Sequence, residues 1–332
     1  MRALLFLALI VPGYCWSQIP RIGVIDFYGV RRVSQARLRQ ALGVREGDTL
    51  PASKGDVEDR LERVPGVIRA RVEAVCCEMD RAILFVGIEE KDAPHFLFRE
   101  APSGDASLPE ALVETYHDYL SALERAMRSG PVTENLTQGH VLSTDPATRA
   151  IEQRFVELAA ANLDALRQTL RESADPTHRA VAACLIGYAP TKRLVVDDLQ
   201  YAMRDSDEGV RGEAIRSLGA IAALGARDPE LGIRVEATWF VQMLNSIVRG
   251  DRVRAVSALV GLTDQRRPYV LDQIRQTAMA SLGEMARWRP LEQSLPAYLV
   301  LGRAAGIPEN EIQAAWSGEA RGALIERALR KP

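Results

Sequence analysis

The sequence predicts two architectures in series: an α+β module ordered β-α-α-β-β over residues 18–91, then a mainly α-helical solenoid over residues 147–332. Three observations predict it. Runs of strand-forming residues at 22–29, 67–77 and 82–89 bracket two short amphipathic helical segments. Val210, Ala214, Ile215, Leu218, Ile221 and Ala222 recur at three-four spacing, which gives a helix one apolar stripe that it cannot bury alone. The phrase around that stripe also returns: Arg179-x-x-Ala182, Arg211-x-x-Ala214 and Arg275-x-x-Ala278 stand 32 and then 64 residues apart, the mark of stacked helical units.

With 332 residues, 47% hydrophobic and 26% charged, the chain is long enough for two domains. A net charge of -2 gives no electrostatic case for nucleic acid, which demands clustered excess base. Only four of the 42 basic residues are lysines, so arginine paired with carboxylate is the expected use of charge.

Residues 1–17 carry one positive charge at Arg2, about ten apolar residues, and small Cys15 and Ser17 before Gln18. That core is shorter than the roughly 20 residues of a membrane span, so a cleaved secretory signal peptide is expected and the mature protein is periplasmic or secreted. Cys76, Cys77 and Cys184 then remain, an odd number that makes a poor disulfide framework. One buried and one exposed structural cysteine are expected of the adjacent pair, and no metal site, because CxxC spacing is missing.

In the module, Ile22 to Gly29 reads as the first strand. Ser34 offers a cap for a helix that buries Leu38 and Leu42 and stops at Gly43. Ser53 opens a second helix burying Val57, Leu61 and Val64, and Pro65-Gly66 ends it. Ile68, Ala70, Val72, Ala74 and Cys76 alternate with Arg69, Arg71, Glu73, Val75 and Cys77, the pattern of a strand with one buried face, and Ala82 to Glu89 supplies the third strand.

This order, with Val33-Ser34 opening the first helix, Gly47-Asp48-Thr49-Leu50 between the helices and Val64-Pro65-Gly66-Val67 entering the second strand, resembles a POTRA domain, the polypeptide-transport-associated module of the bacterial periplasm. The family's Gly-Asn at the end of the first strand is Gly29-Val30 here. The resemblance implies capture of a client polypeptide or partner subunit, by pairing of an extended segment with a sheet edge. An open edge can do this in any protein, because its unpaired backbone groups accept another strand. Val67, Arg69, Arg71, Glu73 and Val75 are the candidate docking residues; Arg69 and Arg71 can equally serve as charges that protect an edge.

Residues 92–146 read as a linker containing one helix, 108–128, on which His117-Asp118 is a solvated pair rather than a metal site. Asp145-Pro146 opens the next helix. The solenoid resembles HEAT-type repeats, whose Asp and Arg beside the helix tie adjacent units together; Asp207 and Arg211 match. Ile233-Arg234-x-x-Ala237 is a further copy only 23 residues after the central one, and Arg252 to Gly261 a weaker one. Arg179, Arg211, Arg234 and Arg275 are expected to form inter-repeat ion pairs; lining a groove for an acidic ligand is the other reading. Arg249-Gly250-Asp251 reads as an ordinary turn with a helix cap.

No phosphate loop, nucleophile elbow or metal cluster stands in the sequence, so the chain is expected to need no cofactor. The functional expectation is an exported, non-enzymatic scaffold or adaptor of the bacterial envelope, with a protein or polypeptide partner. A periplasmic HEAT-like lyase or metal-dependent hydrolase is the alternative.

Overall fold

The computed structural model describes residues 20–78 and 81–330, so the signal-peptide expectation for residues 1–17 lies outside the described residues. Five elements follow the predicted order: β1 (Arg21–Tyr28), α1 (Gln35–Leu42), α2 (Lys54–Glu62), β2 (Val67–Glu78) and β3 (Arg81–Glu90). Gly43 stops α1 at φ 72°, a conformation an L side chain resists, and the Ser53 hydroxyl caps α2 by accepting the Asp56 N–H. β3 is central, parallel to β1 and antiparallel to β2.

Both faces of that sheet are covered. Ile22, Ile25, Leu84, Val86 and Ile88 pack on Leu38, Leu42, Val57 and Leu61 of the two helices. Tyr28, Ile83 and Phe85 belong instead to the core of the helical domain. Gly87 makes this possible, since a Cβ there would lie 2.6 Å from the Tyr28 ring. The expected one-sided burial of β2 holds only at its centre. Ala70 and Val72 are buried, whereas Ile68, Ala74 and Cys76 are exposed, because the register shifts between Val67 and Arg69 and again beyond Val75. Cys76 is disulfide-bonded and Cys184 is a buried free thiol, against the expectation that the cysteines form no disulfide framework.

The helical domain begins earlier than the sequence suggests. α3 (Glu110–Ser129) buries Leu112, Tyr116 and Tyr119 in the common core, so residues 92–146 are no free linker. Gly104 pairs with the backbone of Glu172 and Ala174, straps this segment down, and has no room for a side chain. A two-residue hairpin, β4 (Glu134–Asn135) with β5 (Leu142–Ser143), leads to α4 (Pro146–Glu172), which kinks at Asn162.

Ten helices follow: α5 (Pro176–Ile186), α6 (Val196–Ala202), α7 (Glu208–Arg227), α8 (Thr238–Met243), α9 (Arg249–Leu262), α10 (Pro268–Thr277), α11 (Met279–Met285), α12 (Leu291–Ala304), α13 (Glu309–Ala314) and α14 (Glu319–Arg330). Helices α5, α7, α9, α12 and α14 stack side by side as one layer, and α6, α8 and the α10–α11 pair lie against them as the second. Each stripe that no helix could cover alone is therefore buried by its successor.

A ladder of buried arginines ties the layer together. Arg179 grips the Asp205 carboxylate with Nε and Nη2 at 2.9 and 2.8 Å, and its Nη1 donates to the carbonyls of Ser173 and Ala174. Arg211 repeats this, with Asp251 at 2.9 to 3.1 Å and the carbonyls of Asp205 and Ser206. Arg252 donates to the Ser246 carbonyl and lies 3.5 Å from Glu284. Six residues before each arginine stand Ser173, Asp205 and Ser246, and each side-chain oxygen accepts the N–H two residues on.

Four expectations are corrected here. Asp207 does not tie units; it caps α7 by accepting the Val210 N–H, while Asp205 and Asp251 hold the arginines. Arg234 lies on the non-helical stretch after Gly232, which adopts φ 59°; it is exposed and pairs with Glu236. The third unit returns at Arg252, because the 228–237 loop lengthens that repeat. Arg275 sits on α10 in the other layer, bonded to Asp272 and the Ala304 carbonyl. Its proposed helix breaks at Ala278, between α10 and α11. The Arg249-Gly250-Asp251 tripeptide is the first turn of α9 rather than a cap, and its aspartate is the buried ladder residue.

Candidate functional site

Two surfaces could receive a partner: the outer edge of β2, and a furrow between α7 and α9.

At the edge, the outward N–H groups of Ala70 and Val72 are already used. The Glu62 carboxylate on α2 accepts the first at 3.0 Å and Glu58 accepts the second at 2.7 Å. The predicted docking side chains are engaged as well. Arg71 reaches Glu208 at 2.8 Å and Glu73 reaches Arg249 at 2.6 Å, both across to the helical domain. Arg69 stands 3.8 Å from Glu89, and Val67 and Val75 are partly buried against the two cores. A polar cleft of about 470 Å³ remains between β2, α2 and the turns preceding α7 and α9.

The same cross-domain contacts fix the module to the helices. The Trp288 ring meets Tyr28 and Phe85 edge-on at 5.9 and 5.0 Å, Arg252 and Arg249 lie over those rings, and the Tyr28 hydroxyl donates to the Ile247 carbonyl at 2.7 Å. Burial drives the Tyr28 phenol upward, which keeps it a donor. Glu284, the carboxylate next along from Arg252, also receives Arg31 and the Gly29 N–H, so the arginine ladder ends in the module itself.

The furrow is different in kind. Its volume is about 730 Å³, with α7 and α9 as floor and α3 as one wall. Val210, Ala214, Leu218 and Ile221 turn one face of α7 into the core. The opposite face presents Gly212, Gly219, Ala223 and Ala226, and α9 answers with Ser257, Ala258 and Gly261. A Cβ built on Gly219 or Gly261 would meet nothing within 4 Å. Leu120 and Leu123 of α3 supply an apolar wall.

Polar groups border the furrow. At the α3 side Arg216 bridges Glu134 at 3.0 Å and Glu152 at 3.1 Å under the Tyr119 ring, and the Tyr116 hydroxyl donates to Glu213 at 2.8 Å. Burial raises the Glu152 carboxyl and pushes the nearby Cys184 thiol well up. At the α9 side stand Arg254 and Arg267, with Arg234 beyond. His117 and Asp118, the pair set aside as solvated, are exposed on α3.

Arg179 and Arg211 are thus brought into one ladder, whereas Arg234 and Arg275 are left out of it. Asp205, Asp251 and Glu284 are ladder residues the sequence reading missed, while Arg252, read as the start of a weaker copy, is a full rung. A Ser or Asp six places before each ladder arginine was the available signal. The furrow was missed too, although glycine and alanine recur on the face of α7 opposite its apolar stripe.

The sequence profile of HEAT repeats matches residues 163–259, the span from α4 to α9 that contains the first rungs of the ladder and the furrow floor. No curated protein matches the chain. Residues 163–259 are therefore similar to HEAT-type repeats, and such repeats suggest a protein-interaction scaffold.

Proposed function

We propose that this protein is an exported, non-enzymatic scaffold of the bacterial cell envelope, in which a POTRA-like module and a HEAT-type solenoid present surface to a protein partner. The furrow carries this reading: it is broad, open along one side and lined by small apolar residues, and at its border Glu152 is paired with Arg216 and Glu213 accepts from Tyr116. The β-α-α-β-β order and the mixed sheet with β3 in the middle support the POTRA-like assignment. The signal-like residues 1–17 support export.

Of the two surfaces, the furrow is the primary one. A strand added at β2 has to displace Glu58 and Glu62 and leave both carboxylates to find new partners. The test is capture from envelope extracts by the full chain, by Gly219→Trp, which fills the furrow, and by Val72→Pro, which removes an edge donor. Loss of captured partner with Gly219→Trp alone is expected. Undiminished capture by a folded Gly219→Trp protein removes the furrow from the function. Fusion of residues 1–17 to a reporter measures export, and a reporter retained in the cytoplasm defeats the envelope assignment.

A further inference from the structure

We infer that the furrow between α7 and α9 takes a single amphipathic helix of its partner, one with a small or apolar face flanked at both ends by acidic side chains. This rests on the furrow being the partner surface, and three features specify the occupant.

The first is backbone chemistry. The furrow floor and its α3 wall are helices, with the loop at Ile233 to Val235 and the β4 segment at its margin. Helical backbone has its N–H and C=O groups bonded internally, so floor and α3 wall offer an incoming chain nothing to pair with. An occupant must satisfy its own backbone while lying against apolar surface, and a helix does so. The second is the floor. Gly212, Gly219 and Gly261 bring no side chain to the surface, which lets a third helix approach closely and seat larger apolar residues of its own.

The third is charge. Arg254 lies across Gly212 at one end of the furrow; it is half exposed and stands 3.8 Å from one oxygen of Glu208, a carboxylate it shares with Arg71, which holds the other oxygen at 2.8 Å. Arg267, at the other end beyond Leu262, bonds only the Gln265 amide oxygen among the described residues, and Arg234 near it is exposed with Glu236 as partner. Arg216, by contrast, is saturated by two carboxylates. The cations with capacity to spare therefore sit at the two ends. From Arg254 to Leu262 alone α9 rises roughly 12 Å at about 1.5 Å per residue, so acidic groups at least about two helical turns apart match them.

The experiment uses the full chain and two labelled synthetic peptides of about five turns each, with the same Leu/Ala face. One carries glutamates at both ends and the other lysines. Fluorescence anisotropy at low and high salt reads the affinity. The glutamate peptide is expected to bind at least about tenfold tighter than the lysine peptide at low salt, with the difference shrinking at high salt. Gly219→Trp and Gly261→Trp should each weaken it by about tenfold or more, with circular dichroism unchanged because both positions are open. Arg254→Glu with Arg267→Glu should reverse the preference. Equal binding of the two peptides, or binding that the tryptophans leave unchanged, would each overturn the inference. If neither peptide binds yet Gly219→Trp still abolishes capture from extracts, the helix assignment fails and the scaffold survives. If capture also persists, both fail.

Discussion

The β2 edge and the α7–α9 furrow both leave structure open, and they differ in how far the chain has closed them. At the edge, Glu58 and Glu62 occupy the outward N–H groups that a strand would need, and Arg71 and Glu73 are turned inward to Glu208 and Arg249. In the furrow no side chain fills the space over Gly219 and Gly261. An unpaired backbone donor is costly whether or not a partner comes, so the fold satisfies it; a shallow apolar furrow costs little in water and can stay open. Readiness to bind is thus a property of the apolar surface here rather than of the polar edge.

The largest expected effect strikes the furrow through its foundation. Arg211 holds α7 to α9, and Arg211→Met leaves the fully buried Asp251 without its cation. Chemical denaturation should show a loss of about 3–5 kcal/mol, against less than about 0.5 kcal/mol for Arg234→Met on the exposed loop. Similar losses for the two would break the distinction between ladder and surface arginines.

A smaller effect, on the order of 2 kcal/mol, follows from His140. It stacks on Tyr188 in the segment beside the furrow wall, and burial, helped by Lys192, lowers its pKa to about 4 from an ordinary 6.5. The unfolded chain then binds the proton more readily than the folded one between pH 6.5 and 4. Stability should fall as the pH drops through that window and change no further from this group below it. Urea titrations across pH for the protein and for His140→Leu check this. Persistence of the whole pH dependence in His140→Leu would remove the residue as its source.

The smallest effect sharpens the comparison from the other side. Glu58→Ala with Glu62→Ala frees two edge donors and should lower stability by about 1–2 kcal/mol in thermal unfolding, while raising the tendency to self-associate, read by light scattering. Unchanged scattering would mean that the carboxylates are not what keeps the edge closed.

How much of this was legible depends on the range over which each signal acts. Gly43, Ser53 and Asp145 act within a turn of their own helix, and they stop or cap the helices where the sequence indicates. The sequence predicts a repeat at Arg211 with Asp207 and Arg211 as the residues that tie units, but the carboxylate Arg211 holds is Asp251, 40 residues distant and out of reach of a local motif. Arg234 and Arg275 imitated the phrase in segments whose backbone departs from a continuous helix, at Gly232 and Ala278. A short motif carries no information on whether its own helix continues.

By itself the sequence determined the two architectures, the order of the strands and helices, and the buried side of most helices, since periodicity and caps are local consequences of residue type. Only the tertiary structure decided that the sheet is buried on both faces, that α3 belongs to the helical core, that α2 closes the strand edge, and that α7 and α9 leave a furrow between them. Those outcomes depend on which surfaces meet, and surfaces far apart in the chain leave no periodic trace of one another.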